Sequence, residues 1–128
     1  MTLIIGGAYS GKNEYVQQHF NISQDDIIDG ANCSAEQIYS CRAIKNFQLY
    51  VKRFSVENAA SLAGKIYEQN CDIIIISNDI GSGIIPMEKS DRLWREETGK
   101  TCCAIAGMSD SVIRMCCGIP TAIKGELP

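Results

Sequence analysis

Residues Gly6, Gly7, Ala8, Tyr9, Ser10, Gly11, Lys12 and Asn13 form the stretch in this chain whose types and spacing are suited to gripping a phosphate. Gly6 and Gly11 are separated by four residues and followed at once by a lysine, the P-loop spacing. Glycines serve there because successive backbone N–H groups must turn inward around the anion, where side chains would obstruct them. Lys12 would reach the outer phosphates as a point charge. Asn13 stands where such loops carry Ser or Thr to offer a hydroxyl oxygen to Mg²⁺. Its amide oxygen is also a hard donor, but it reaches further from the backbone, which predicts weakened metal use and retained phosphate binding. A glycine turn with a surface lysine is the plain alternative.

Phosphoryl chemistry also asks for a carboxylate at a strand end, to hold the metal. Two aspartates answer that description: Asp29, after Asp-Asp-Ile-Ile, and Asp79, after Ile-Ile-Ile-Ile-Ser-Asn. Each could equally cap a helix or sit solvated in a loop. Lys12, Asp29 and Asp79 are the candidate catalytic residues, and Asn13 with Asp29 the candidate metal ligands. Seven cysteines, with two adjacent pairs at Cys102–Cys103 and Cys116–Cys117, lack metal-site spacing. The odd number and the absence of a leader pattern suggest reduced thiols serving mostly as small apolar packing groups. His19, the only histidine, lies on the helix after the glycine loop, where a packed or surface role is expected. Arg92 and Arg95 could meet a phosphate or another subunit, or form a solvated face with Glu96 and Glu97. Lys52 and Arg53 read as a surface pair.

These residues need elements to position them. Thr2–Gly6 is a β-type run and Lys12–Phe20 has helical spacing, so the loop lies between strand and helix, as the mechanism demands. Asp25–Asp29 reads as a short strand. Ser34–Gln37 is a capping-box pattern, predicting a helix towards Phe47. Ser55–Gln69 is a further helix, with Val56, Ala59, Ala60, Ala63, Ile66 and Tyr67 on one side. Asp72–Ser77 is apolar enough for a strand buried on both faces. A helix is expected from Glu88 to about Ala106, with Leu93, Trp94, Thr98, Cys102 and Ile105 inward. Ser111–Cys117 and Thr121–Lys124 would form a hairpin about Gly118–Pro120. Alternating strands and helices predict a mostly parallel α/β sheet with antiparallel character at one edge.

At 128 residues the chain makes one domain, and a net charge of −3 gives no basic field for a nucleic-acid backbone. No apolar run reaches membrane-spanning length. The first residues lack a cationic leader, so a cytoplasmic location is the expectation.

Asn-Asp-Ile-Gly-Ser-Gly-Ile-Ile-Pro at Asn78–Pro86, Arg-Leu-Trp-Arg-Glu-Glu-Thr-Gly at Arg92–Gly99, and the Gly-Ile-Pro turn at Gly118–Pro120 with Lys124 occur in one order. Together with Gly6–Lys12 they resemble the adenosylcobinamide kinase / adenosylcobinamide-phosphate guanylyltransferase family. Asn78, Gly81, Gly83 and Pro86 match its central loop, with Asp79 for Glu. Arg92, Arg95 and Gly99 match the following helix, with Trp94 for Phe and Glu96 for Asp. The resemblance implies a P-loop NTPase fold, a RecA-like three-layer sandwich, assembled as a homo-oligomer and commonly a trimer. It implies ATP or GTP with Mg²⁺, a corrinoid acceptor (adenosylcobinamide), Gly6–Lys12 on the triphosphate, and Asp29 and Asp79 as acidic strand ends. The family's GMP-accepting histidine lies in a segment that this chain lacks between the first helix and Asp25, so guanylyl transfer by that route is not expected. Cys102 and Cys103 replace an Asn-Gln pair. Three functions follow: a kinase of the adenosylcobinamide hydroxyl, a nucleotide-binding paralogue acting as sensor or partner subunit, and an interaction module without nucleotide.

Overall fold

The computed structural model describes residues 1–54, 58–79 and 89–128. Its strands are β1 (Thr2–Gly6), β2 (Ile27–Asp29), β3 (Ala43–Lys45), β4 (Ile74–Asn78), β5 (Ser111–Cys116) and β6 (Ile119–Lys124). Its helices are α1 (Lys12–His19), α2 (Phe47–Phe54), α3 (Ala59–Gln69) and α4 (Lys89–Met108). The strands form one sheet in the order β2-β3-β4-β1-β5-β6, parallel throughout except for the antiparallel β5–β6 pair. This is an α/β fold of the P-loop NTPase type.

Side-chain alternation along the strands builds two cores. Leu3, Ile44, Ile75 and Val112 face α2, α3 and α4, where they meet Phe47, Val51, Ala63, Ile66 and Ile105. Ile4, Ala43, Ile74, Ile76, Ile113 and Met115 face the other way, towards Tyr15 and Val16 of α1. The near-continuous isoleucines of β4 follow from burial on both faces. Each fully buried isoleucine stabilises the fold by about 1.5–3 kcal/mol.

β1, α1, β4 and the terminal hairpin lie where the sequence places them. The hairpin turn is tighter than expected: Cys117 and Gly118 alone form it, with φ of 52° and 78°. Two positive φ values are those of a type I′ turn, whose twist matches the strands it joins. Pro120 sits inside β6, which an edge strand tolerates.

The segment between residues 34 and 47 corrects the expectation of one helix. Gln37–Tyr39 makes a single 3-10 turn, β3 follows, and α2 starts only at Phe47. Half of the capping box forms, with Ser34 N–H donating to Gln37 Oε1 at 2.8 Å. Ala43 and Ile44, both fully buried, fill the slot between β2 and β4, and that packing outweighs local helix preference. Likewise Gln24–Asp26 is a 3-10 turn, so β2 is shorter than read. α3 is capped by Asn58, whose Oδ1 accepts from Ser61 N–H at 3.0 Å. Its inner side is Ala63 and Ile66, while Ala60 and Tyr67 are exposed; Val56 lies outside the described residues. On α4, Leu93 is exposed and Thr101 takes a buried place instead.

Candidate functional site

The site is built where β1 ends. Gly6 is buried, and a Cβ there would meet the Met115 carbonyl oxygen at 2.5 Å and Ser10 Oγ at 2.7 Å, so only glycine fits. The chain then loops outward through Tyr9, fully exposed at φ 60°, and returns through Gly11 at φ 88° to open α1. A left-handed φ at Gly11 costs a glycine little and a residue with a Cβ about 1–2 kcal/mol. Tyr15 N–H donates to Gly11 O at 3.0 Å, which leaves the preceding N–H groups of the helix start facing the loop. The hairpin turn braces this arrangement, since Gly118 N–H donates to Ser10 O at 3.0 Å.

Lys12 curls into its own loop. Its Nζ donates to Gly7 O at 2.6 Å and to Ser10 Oγ at 3.3 Å. Burial of the ammonium lowers its pKa, opposed by the nearby Glu14 carboxylate. A cavity of about 290 Å³ opens here, lined by residues Ala8 to Glu14 together with Asn46, Ile76 and Asn78. Backbone N–H groups, a helix N-terminus and a half-desolvated cation converge on it, a geometry suited to an anion.

The candidate carboxylates do not enter this cavity. Asp29 ends β2, the outermost strand, and β3 and β4 separate it from β1 by about 14 Å of strand spacings. It lines a neighbouring depression with Lys45 and Asn32. Burial alone would raise its pKa. Hydrogen bonds to Oδ1 from Ala31 N–H at 2.9 Å and Asn46 Nδ2 at 3.0 Å, with Lys45 and Arg53 nearby, lower it on balance. Asp79 follows β4, its N–H donating to Gly6 O at 2.8 Å. It lines a second, mostly apolar depression of about 180 Å³ with Ile5, Arg95, Thr98, Gly99 and Cys102, which meets the first cavity at Asn78. Thr98 Oγ1 is buried there with no hydrogen-bond partner among the described residues.

Two strand-end residues do line the cavity: Asn78, the last residue of β4 beside β1, and Asn46, with φ 54° directly after β3. A relay holds Asn46. Asn46 Nδ2 donates to Asp29, and buried Gln48 donates from Nε2 to Asn46 Oδ1 at 3.5 Å. Gln48 Oε1 accepts from Asn78 N–H at 2.9 Å, and Gln48 O accepts from Trp94 Nε1 at 2.7 Å. Asn46 and Gln48 are absent from the sequence reading because the strand before them reads as helix. The signal available was the Ala-Ile run ending in a polar residue.

Other candidates have structural places. His19 is exposed and stacks on Tyr15 with ring centroids 4.4 Å apart. Lys124 Nζ donates to Ala106 O and Gly107 O, capping the end of α4. Arg92 is exposed on α4. Gly81, Gly83 and Pro86 lie outside the described residues. All seven cysteines are free, and burial pushes the Cys102 thiol up to about 11, where it is inert as a nucleophile. No helix among the described residues is long and apolar enough to cross a membrane.

No curated protein matches the chain. A family model does, described as cobinamide kinase / cobinamide phosphate guanyltransferase, over residues 36–123. That span takes in β3 and Asn46, β4, α4 and the hairpin, and it begins beyond the glycine loop. With the parallel sheet, the loop-to-helix cradle at its β1 end and a match over more than half its length, the chain belongs to the cobinamide kinase / cobinamide phosphate guanyltransferase family.

Proposed function

We propose that the chain binds a nucleoside triphosphate, ATP or GTP, with its phosphates in the Gly6–Asn13 cradle, and that it is a paralogue with little phosphoryl transfer. The observation that carries this reading is Asn46. The strand ends that line the cradle, Asn46 after β3 and Asn78 of β4, bear neutral carboxamides, while Asp29 Oδ1 accepts from Ala31 N–H and Asn46 Nδ2. Binding has its full equipment in Gly6, Gly11, the α1 N-terminus and Lys12. For transfer, the described residues of the lining offer a single carboxylate, that of exposed Glu14, to hold a metal or take the proton of an alcohol. Guanylyl transfer through a histidine has no support, since His19 is not among the residues lining the cavity and packs against Tyr15 instead.

A second reading, a working adenosylcobinamide kinase, is favoured by Asp79, anchored to Gly6 O at the mouth of the Thr98 depression. There Lys12 would neutralise the transferred phosphoryl and Asp79 would face the acceptor hydroxyl. Calorimetric titration with ATP and GTP, followed by a turnover assay on adenosylcobinamide, separates the readings. The paralogue binds nucleotide and leaves the corrinoid unphosphorylated; phosphorylated product establishes the kinase; no binding of either nucleotide defeats both. The homo-oligomer implied by the family resemblance is supported by β6, an edge strand exposing Ile119 and Ile123.

A further inference from the structure

Mg²⁺ is the ion that the family resemblance implies beside the phosphates. It demands near-ideal octahedral oxygen geometry and is usually anchored by one or two carboxylates in addition to phosphate oxygens. Of the described residues lining the cradle, only Glu14 carries a carboxylate, and it is exposed on the first turn of α1. The other side chains of the lining that carry an oxygen donor at the helix start or a strand end are Asn13, Asn46 and Asn78. Asp29 gives its Oδ1 to Ala31 N–H and Asn46 Nδ2, and Asp79 lines the depression on the α4 side. Among the described residues no group of three acidic, histidine or cysteine side chains could hold a metal. This donor set does not fit Mg²⁺.

We propose that the cradle takes a polyphosphate anion without a divalent cation, the carboxamides of Asn13, Asn46 and Asn78 replacing the usual metal and carboxylate together. The inference rests on the reading of the cradle as a nucleotide site. A carboxylate beside a phosphate repels it until a cation neutralises both. A carboxamide is neutral and carries two N–H donors, one of which Asn46 already gives to Asp29, so these three positions add no repulsion of their own. Lys12 and the N–H groups of the loop then supply the positive field alone. A cation entering with the phosphates meets neutral carboxamide oxygens, of which Asn46 Oδ1 already accepts from Gln48. It also spends on itself the anionic charge that Lys12 would otherwise attract. Mg²⁺, by complexing the polyphosphate in solution, therefore competes with the cradle.

The test is calorimetric titration of the full chain with ATP, GTP and inorganic tripolyphosphate, each in chelator and in excess MgCl₂. The expected result is binding in chelator at least as tight as in MgCl₂ for every ligand that binds. A tenfold or greater loss on chelation, restored by MgCl₂, overturns the metal-free mode and leaves the nucleotide reading standing. No binding of any ligand in either buffer overturns the nucleotide reading itself. Asn46→Asp is expected to weaken binding in chelator about tenfold, equivalent to 1.4 kcal/mol, and to make Mg²⁺ restore it. Since that variant sets a second carboxylate against Asp29, its fold is checked by a circular-dichroism melt. Asn13→Thr, which disturbs no hydrogen bond of the relay, provides an independent variant and is expected to make binding newly Mg²⁺-responsive. A metal response unchanged from that of the parent chain in every folded variant overturns the assignment of the carboxamides.

Discussion

In Lys12 electrostatics and burial oppose each other directly. Desolvation lowers its pKa from 10.5, and its Nζ finds partial relief in Gly7 O and Ser10 Oγ. The sign of the resulting pH dependence is fixed. Between the lowered folded value and 10.5 the unfolded chain binds more protons, so the contribution of Lys12 to fold stability rises with pH. A bound anion restores the proton, so affinity for polyphosphate falls over the same interval. Lys12→Arg keeps its charge throughout, and titrations from neutral to alkaline pH should show the fall in the parent chain and none in this variant. At this scale the glycines were legible in the sequence, because Gly6 and Gly11 answer to backbone requirements that spacing alone reveals. Asp29 was misleading: a carboxylate after an apolar run looks the same whether its strand lies at the centre of the sheet or at its edge. The order β2-β3-β4-β1 puts it at the sheet edge, where it reaches the cradle lining through Asn46.

Among the elements, the β5–β6 hairpin has more influence on the site than its distance in sequence suggests. Met115 O closes over Gly6, and a Cβ on Gly11 would lie 3.3 Å from Gly118 Cα. Gly11→Ala therefore meets two costs, the left-handed φ and a crowded contact with the turn. A loss of about 1–2 kcal/mol is expected in a denaturant melt, with a larger proportional loss of nucleotide affinity because the loop itself is displaced. Should affinity and stability both remain unchanged, the turn does not brace the loop. The hairpin was readable because β5 alternates and a glycine marks its turn. β3 was not: three residues are too few to display a period, and Ser34 and Gln37 ahead of it advertise a helix. The slot between β2 and β4 decides that segment, and a slot is invisible until the neighbours are placed.

At the scale of the molecule, among the described residues one helix covers one face of the sheet and three cover the other, and the edge strand β6 leaves Ile119 at 66% and Ile123 at 58% exposure. If this edge joins copies of the chain, Ile119→Lys with Ile123→Lys leaves the melting temperature within a few degrees, since neither side chain is in the core. Light scattering should then show a shift from oligomer to monomer. An assembly that survives both lysines is held elsewhere.

The contact between Gly118 and Ser10 also bears on biosynthesis. The ribosome delivers β1 and α1 early and the hairpin turn far later. Until β5 emerges, Gly6 lacks the carbonyl that closes over it, and Ser10 O lacks its donor. A nascent chain thus carries the whole glycine loop as sequence without yet having it as a receptor. Ligand capture would mark the arrival of the hairpin, and mass action would favour chains that have folded it over those that have not.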